Sequence, residues 1–236
     1  MKNKVSDTKN MQRLWLALGR LEDMTRNVPV MTLLSAPPGF GKTTATVAAV
    51  VALDAVFVRA NSTATASSIL EDICFELEID GKGRNNAKFK RIVRALKAKP
   101  RPLFIDEIDR IVNDFKALEV LRDIHDIANV PVALIGTEDL QRKVSIYPQL
   151  SSRVLQHIVF KPCDLADAAL VAKDLCEVDV AEDLIKKMHK RTNGVIRLIV
   201  IALTNFESFA RNNGWKSITA EQWGDRPMFL DDKGGE

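Results

Sequence analysis

Two short stretches carry residue types that can do chemistry together. The first, LLSAPPGFGKTT at residues 33–44, runs from apolar residues through two prolines and two glycines to a lysine and two threonines. Ala36 to Thr43 fits the spacing of a phosphate-binding loop, with alanine in the first, glycine-tolerant position. Pro38, Gly39, Phe40 and Gly41 would make the turn. The two glycines let backbone N–H groups converge on phosphate oxygens, and a following helix adds the positive end of its dipole. Lys42 would reach the β- and γ-phosphates of a nucleotide, and the Thr43 hydroxyl, with Thr44 beside it, would ligate magnesium. The second stretch, RPLFIDEID at residues 101–109, supplies the acidic strand end that such a site needs. Asp106 can hold the magnesium through water, and Glu107 can polarise an attacking water.

Further polar residues fall where a γ-phosphate can be sensed. Thr137 directly follows an apolar strand at residues 132–135, which puts it at the carboxyl end of that strand. Arg153, in YPQLSSRV, precedes the last strand and would reach the nucleotide of a neighbouring subunit, with Arg142 as a rival. Arg197, just after Asn193-Gly194, would swing onto the nucleotide from the start of a long helix, with Arg191 as the less favoured candidate.

The elements that must position these residues alternate. Met11, Leu14, Trp15, Leu18, Leu21 and Met24 follow helical spacing over residues 11–25. Strands are expected at residues 30–34, 55–59, 103–105, 132–135 and 154–160, separated by helices at 43–52, 67–77, 86–98 and 117–128. This order implies an α/β fold with a parallel sheet covered by helices on both faces. Past Lys161-Pro162 three helices follow without a strand, at 165–176, 181–191 and 195–212. The expected organisation is a core over residues 1–163, a small helical lid over 164–223 and a flexible acidic tail over 224–236, with residues 1–9 frayed at the other end.

The 236 residues and their 46% apolar content suit one α/β domain with a small appendage. No stretch approaches the roughly 20 apolar residues of a membrane helix. Cys74, Cys163 and Cys176 are odd in number and widely spaced, as expected for core thiols of a cytoplasmic protein. His125, His157 and His189 are too scattered for a metal centre, which leaves magnesium, held by oxygen and phosphate, as the expected ion.

The net charge of +3 conceals a local excess. Residues 81–101, GKGRNNAKFKRIVRALKAKPR, hold nine of the 34 Lys and Arg and none of the 31 Asp and Glu. Lys82, Arg84, Lys88, Lys90, Arg91, Arg94, Lys97, Lys99 and Arg101 repel one another, which favours a nucleic-acid partner over a merely solvated face. The expected contact is with the phosphate backbone of double-stranded DNA, without base readout. Thr65, with Thr63 and Ser67, lies in a small-residue loop able to approach the same backbone. Phe89 belongs to the inward stripe, so no aromatic platform for single strands is formed.

Taken together, GFGKTT, FIDEID, a polar residue after the next strand, an arginine before the last strand and GVIRL in the lid resemble the AAA+ ATPases across nearly the whole chain. In that pattern Lys42 and Thr43 belong to Walker A, Asp106 and Glu107 to Walker B and Thr137 to sensor 1, while Arg153 matches the arginine finger and Arg197 matches sensor 2. Sensor 1 is more often asparagine in the family. LIGTEDL and the near-terminal lid resemble the DNA-transposition regulators of the phage Mu B and TnsC kind. That likeness implies an ATP- and magnesium-dependent homo-oligomer, a filament or ring on duplex DNA. It further implies a transposase as partner, a target-selection protein or CRISPR effector beside it, and slow hydrolysis tied to disassembly on the bacterial nucleoid. Two alternatives stand beside it: a helicase loader or replication initiator, and a scaffold that nucleotide merely stabilises.

Overall fold

The computed structural model describes residues 1–2, 4–22 and 31–230. The expected helix end at Met24 and Thr25, the side chain of Leu21, the strand start at Val30 and the tail DDKGGE lie outside the described residues. The chain divides into two compact units. One comprises Leu14–Pro37 and Lys42–Phe160; the other comprises Met1–Arg13, Pro38–Gly41 and Lys161–Glu236. Helix α1 (Lys9–Glu22) runs from the second into the first.

The first unit is built on β1 (Met31–Ser35), β2 (Val56–Arg59), β3 (Leu103–Asp106), β4 (Val132–Gly136) and β5 (Val154–Val159). They pair in the order β2-β3-β4-β1-β5, and every pairing is parallel. The three central strands are buried at every position, so MTLLS, LFID and VALIG are predominantly apolar, broken before their ends only by Thr32, and each ends in a small or polar residue. Edge strand β5 keeps Leu155 and Val159 exposed. The parallel sheet with its helices is the α/β fold expected from the alternation of elements.

Crossover helices supply the cover: α2 (Lys42–Ala52), α3 (Ala66–Glu76), α4 (Asn85–Ala98) and α5 (Phe115–Ala128), followed by the short α6 (Leu140–Ser145) and α7 (Pro148–Ser151). Ile69, Leu70 and Ile73 of α3, Ile92 and Leu96 of α4, and Leu118, Leu121 and Ile124 of α5 join the sheet residues in one continuous core. Helix starts follow local chemistry. Thr65 caps α3 in a reciprocal pair with Ser68, and the Asp114 carboxylate accepts from Lys116 N and Ala117 N at the start of α5.

The second unit holds α8 (Leu165–Leu175), α9 (Glu182–Thr192), α10 (Ile196–Asn212) and α11 (Ala220–Trp223). It departs from the sequence expectation in three places. It contains a parallel pair of two-residue strands, β6 (Asp179–Val180) with β7 (Ser217–Ile218), where none was expected. Its amino-terminal residues are fastened rather than frayed: Lys2 N–H donates to the Leu175 carbonyl at 2.7 Å, and Asn10 exchanges two hydrogen bonds with the Lys161 backbone. Residues 224–230 are anchored at Met228 and Phe229, while residues 225–227 and Leu230 are exposed. Met228 is 1% exposed, its carbonyl accepts from Asn205 at 2.8 Å, and the Arg226 guanidinium lies 4.4 Å over the Phe209 ring.

All three cysteines are free and buried. Among the described residues no helix is long and apolar enough to cross a membrane. Phe206, fully buried and edge-on to Trp223 at 4.7 Å, is the aromatic centre of the helical unit. Phe206→Ala is expected to destabilise that unit by about 3–5 kcal/mol, read as a lower urea midpoint by tryptophan fluorescence.

Candidate functional site

The phosphate-binding loop leaves β1 at Ser35. Ala36 N–H donates to the Gly136 carbonyl of the neighbouring strand at 3.4 Å, which carries the sheet pairing one residue further. Gly39 and Gly41 then take φ of +85° and +84°, the left-handed region that glycine enters without steric cost. The Gly39 carbonyl accepts from Arg197 N–H at 3.0 Å, and a Cβ on Gly39 would stand 2.9 Å from the Val195 side chain. Glycine at 39 is therefore required twice, by the turn and by the close approach of GVIRL. Helix α2 begins at Lys42, with its first N–H groups at the end of the loop.

Lys42 Nζ donates to the carbonyls of Ala36 at 2.6 Å and Pro37 at 3.0 Å. Burial lowers its pKa below the usual lysine value, against the opposing pull of Asp106, Glu107, Asp109 and Glu138. The Thr43 hydroxyl donates to Asp106 Oδ2 at 3.1 Å, and Asp106 is 2% exposed. This pair of hard oxygen donors fits a magnesium ion completed by phosphate and water. Among the described residues no group of three or more His, Cys, Asp and Glu could hold a metal unaided. Pro38 and Thr44 are exposed, and Phe40 is half-buried.

Glu107 follows Asp106 in the left-handed region at φ +58°, strained for a residue with a side chain. Its N–H donates to Asp106 Oδ1 at 2.9 Å, which helps to hold that turn. Arg59 Nη2 donates to Glu107 Oε1 at 3.2 Å, and Arg59 Nε lies 3.9 Å from Asp106 Oδ2. Sequence reasoning missed Arg59. Its signal was its place at the last position of β2, which the parallel register sets level with Asp106.

Thr137 lies just past β4, as expected, but its hydroxyl is engaged by Asp109 at 2.9 Å. Asp109 and its partner Lys143, 2.7 Å away, were also missed, although the third acid of FIDEID marked the place.

The arginines stand differently from one another. Arg153 precedes β5, and its carbonyl accepts from Met31 N–H at the start of β1. It therefore sits at the amino end of the sheet, about 13 Å along β1 from where the loop begins. Its guanidinium grips Asp126 through Nε at 2.7 Å and Nη2 at 2.6 Å, and Nη1 donates to the Gln149 carbonyl. Arg142 pairs with Asp139 at 3.3 Å. Arg197 is exposed, and Arg191 lies in the last turn of α9.

The basic segment is less uniform than its sequence suggested. Lys88, expected on a DNA-facing surface, is 3% exposed. Its ammonium is buried against α3, where it bonds Ser67 at 3.1 Å and pairs with Glu71. Arg91 pairs with Asp80 at 3.3 Å and donates to the carbonyls of Asp80 and Lys82. Lys99 and Arg101 both pair with Asp54. The expected uncompensated repulsion is thus relieved by acids outside the segment, Asp54, Glu71 and Asp80. Lys82, Arg84, Lys90, Arg94 and Lys97 are exposed and form no ion pair among the described residues, and the last three share one face of α4. Thr65 is exposed but serves as the α3 cap, Thr63 bonds Asn61, and Ser67 bonds Glu71 and Lys88.

A family model described as an AAA domain matches residues 27–144. No curated protein matches the chain by sequence. Similar solved structures include Cdc6p from Pyrobaculum aerophilum, 20% identical at TM-score 0.63, covering 89% of this chain and 63% of its own. The ORC1 protein of Aeropyrum pernix, in complex with DNA, is 16% identical at TM-score 0.65, with coverage of 94% and 64%. The ORC2 protein of Aeropyrum pernix, in its ADP form, is 14% identical at TM-score 0.70, with coverage of 94% and 69%. The chain thus spans just under two thirds of the first two, and at these identities the likeness speaks to the fold.

One half-buried group near the loop titrates. Ser35, the residue before the loop, bonds His157 Nε2 at 2.7 Å, and His157 Nδ1 lies 3.0 Å from Gln141 Oε1. Burial holds the imidazole pKa below its ordinary value of 6.5. The unfolded chain therefore takes up this proton first, and stability falls as pH drops below about 6.5, with a slope that one proton limits to about 1.4 kcal/mol per pH unit. His157→Gln is expected to remove that part of the slope between pH 6.5 and 5, measured by urea denaturation.

Proposed function

The chain belongs to the AAA domain family, and from that membership we propose that it is an ATP-hydrolysing switch that grips duplex DNA without reading its sequence. The observation that carries this reading is the Thr43–Asp106 contact at 3.1 Å, with Glu107 in its left-handed turn beside it. Lys42, Thr43 and the loop would hold the phosphates, and magnesium between Thr43 and Asp106 would neutralise phosphate charge. Glu107 would take a proton from water, a task for which Arg59 must release it. Arg197 would report on the nucleotide from the helical unit. Arg153, too far from its own loop, would serve a neighbouring copy in a homo-oligomer.

Of the finer readings, a helicase loader or replication initiator has the better support. The similar solved structures include Cdc6 and ORC proteins, one of them in complex with DNA and one in an ADP form. A role in transposition, with a transposase as partner, rests on the motif likeness alone. The DNA contact is assigned to Lys82, Arg84, Lys90, Arg94 and Lys97, the basic residues of the segment that have no acidic partner among the described residues.

The test is anisotropy of a labelled random-sequence duplex with ATP, ADP or no nucleotide over a range of salt, alongside phosphate release. Binding strongest with ATP and indifferent to sequence is expected, with turnover abolished in Glu107→Gln. Replacing Lys90, Arg94 and Lys97 by glutamine is expected to flatten the log–log salt slope by about 3 and to weaken all sequences alike. Lys99→Gln, which removes a charge already paired with Asp54, is expected to change the slope by under about 1. Absence of binding in every nucleotide state would remove DNA from the proposal.

A further inference from the structure

Asp109 stands two residues beyond Glu107, and its carboxylate accepts three hydrogen bonds. Oδ2 takes the Thr137 N–H at 2.5 Å; Oδ1 takes the Thr137 hydroxyl at 2.9 Å and Lys143 Nζ at 2.7 Å. Its side chain is 15% exposed. The last residue of β4 makes room for it, since a Cβ on Gly136 would fall 2.5 Å from Asp109 Oδ2. Burial by itself would push the carboxyl pKa up, but the bonds from Lys143 and Thr137 outweigh it and hold the group below the usual carboxylate range. Asp109 is therefore an anion at neutral pH, tying the turn after Glu107 to the end of β4.

The consequence for Thr137 follows from proton counting. A hydroxyl has one proton to donate, and that of Thr137 goes to Asp109, leaving the oxygen with lone pairs alone. Phosphate oxygens of a magnesium nucleotide carry no proton to give, so Thr137 in this state has nothing to bond to them with. It can accept a hydrogen bond from water.

We propose that Asp109 is a positioning residue: it fixes the Thr137 hydroxyl as an acceptor, so that Thr137 orients water at the γ-phosphate rather than touching the phosphate itself. The inference rests on the ATPase reading above. Through the same carboxylate Asp109 anchors the 3-10 turn Ile108–Arg110 that follows Glu107, so water and base are set by one group.

The decisive experiment compares the parent with Asp109→Asn, Thr137→Val and Thr137→Ser. For each, steady-state ATP hydrolysis is measured together with equilibrium affinities for ADP and the non-hydrolysable analogue AMPPNP. Asp109→Asn places a donor amide where donors already converge and frees the Thr137 proton. It is expected to lower kcat at least tenfold while the AMPPNP-to-ADP affinity ratio stays within twofold. Thr137→Val is expected to do the same, the double variant is expected to be no worse than either single, and Thr137→Ser, which restores the hydroxyl, is expected to recover most of the turnover that Thr137→Val loses. Unchanged kcat in Asp109→Asn or Thr137→Val would overturn the proposal, as would a selective loss of AMPPNP affinity, the mark of direct phosphate contact. Should Asp109→Asn fail to fold, Thr137→Val decides, because it keeps the N–H bond to Asp109 and loses only the hydroxyl. A parent that binds nucleotide without turnover would overturn the ATPase reading instead, which separates the two failures.

Discussion

Every strand of the large sheet runs in the same direction, and most of the chemistry depends on that constraint. Parallel pairing gathers the carboxyl ends of the strands on one edge, where the backbone leaves the sheet and can present side chains. The registers are specific: Ser35 stands level with Gly136, and Arg59 with Asp106. The loop after β1, the acids after β3, the arginine ending β2 and the threonine after β4 are consequently delivered to one place. Most of the polar residues that the central strands bury lie at this edge, and they find partners there. Ser35 bonds His157, and Asp106 bonds Thr43 and the Glu107 N–H.

Charge is organised on a second principle, separation of structural pairs from surface charge. Lys88 and Glu71 join α4 to α3, while Asp54 receives both Lys99 and Arg101 at the end of the basic run. The helix is thereby anchored along one side and at one end, and Lys90, Arg94 and Lys97 are left on its outer face. A fixed helix presents those charges at constant spacing, which suits a repetitive polyanion better than a single small anion.

Much of this was legible in the residues because it is local. A phosphate-binding loop is a matter of spacing within a dozen residues, and the central strands are short, mostly apolar runs bounded by turns, so their positions follow from the sequence within a residue or two. What was hidden depends on partners distant along the chain. Arg59 gains meaning only once β2 is known to lie beside β3. The basic run looked uncompensated because Asp54 and Glu71 lie ahead of it and Asp80 just before it, outside any window that counts its own residues. The pair β6–β7 is two residues long on each side, too short for alternation to register. Residues 224–230 begin with Gly, Asp, Arg and Pro, a composition of exposed chain, and only their apolar end, at Met228 and Phe229, is anchored.

The grip of Arg153 on Asp126 has a consequence for what that guanidinium can recognise. A bidentate carboxylate already satisfies its planar fork, so any other acceptor enters as a competitor. A second carboxylate offers the same charge and geometry and gains nothing by the exchange. The clamp therefore keeps Arg153 satisfied within its own chain, by Asp126 and the Gln149 carbonyl, until another acceptor displaces them.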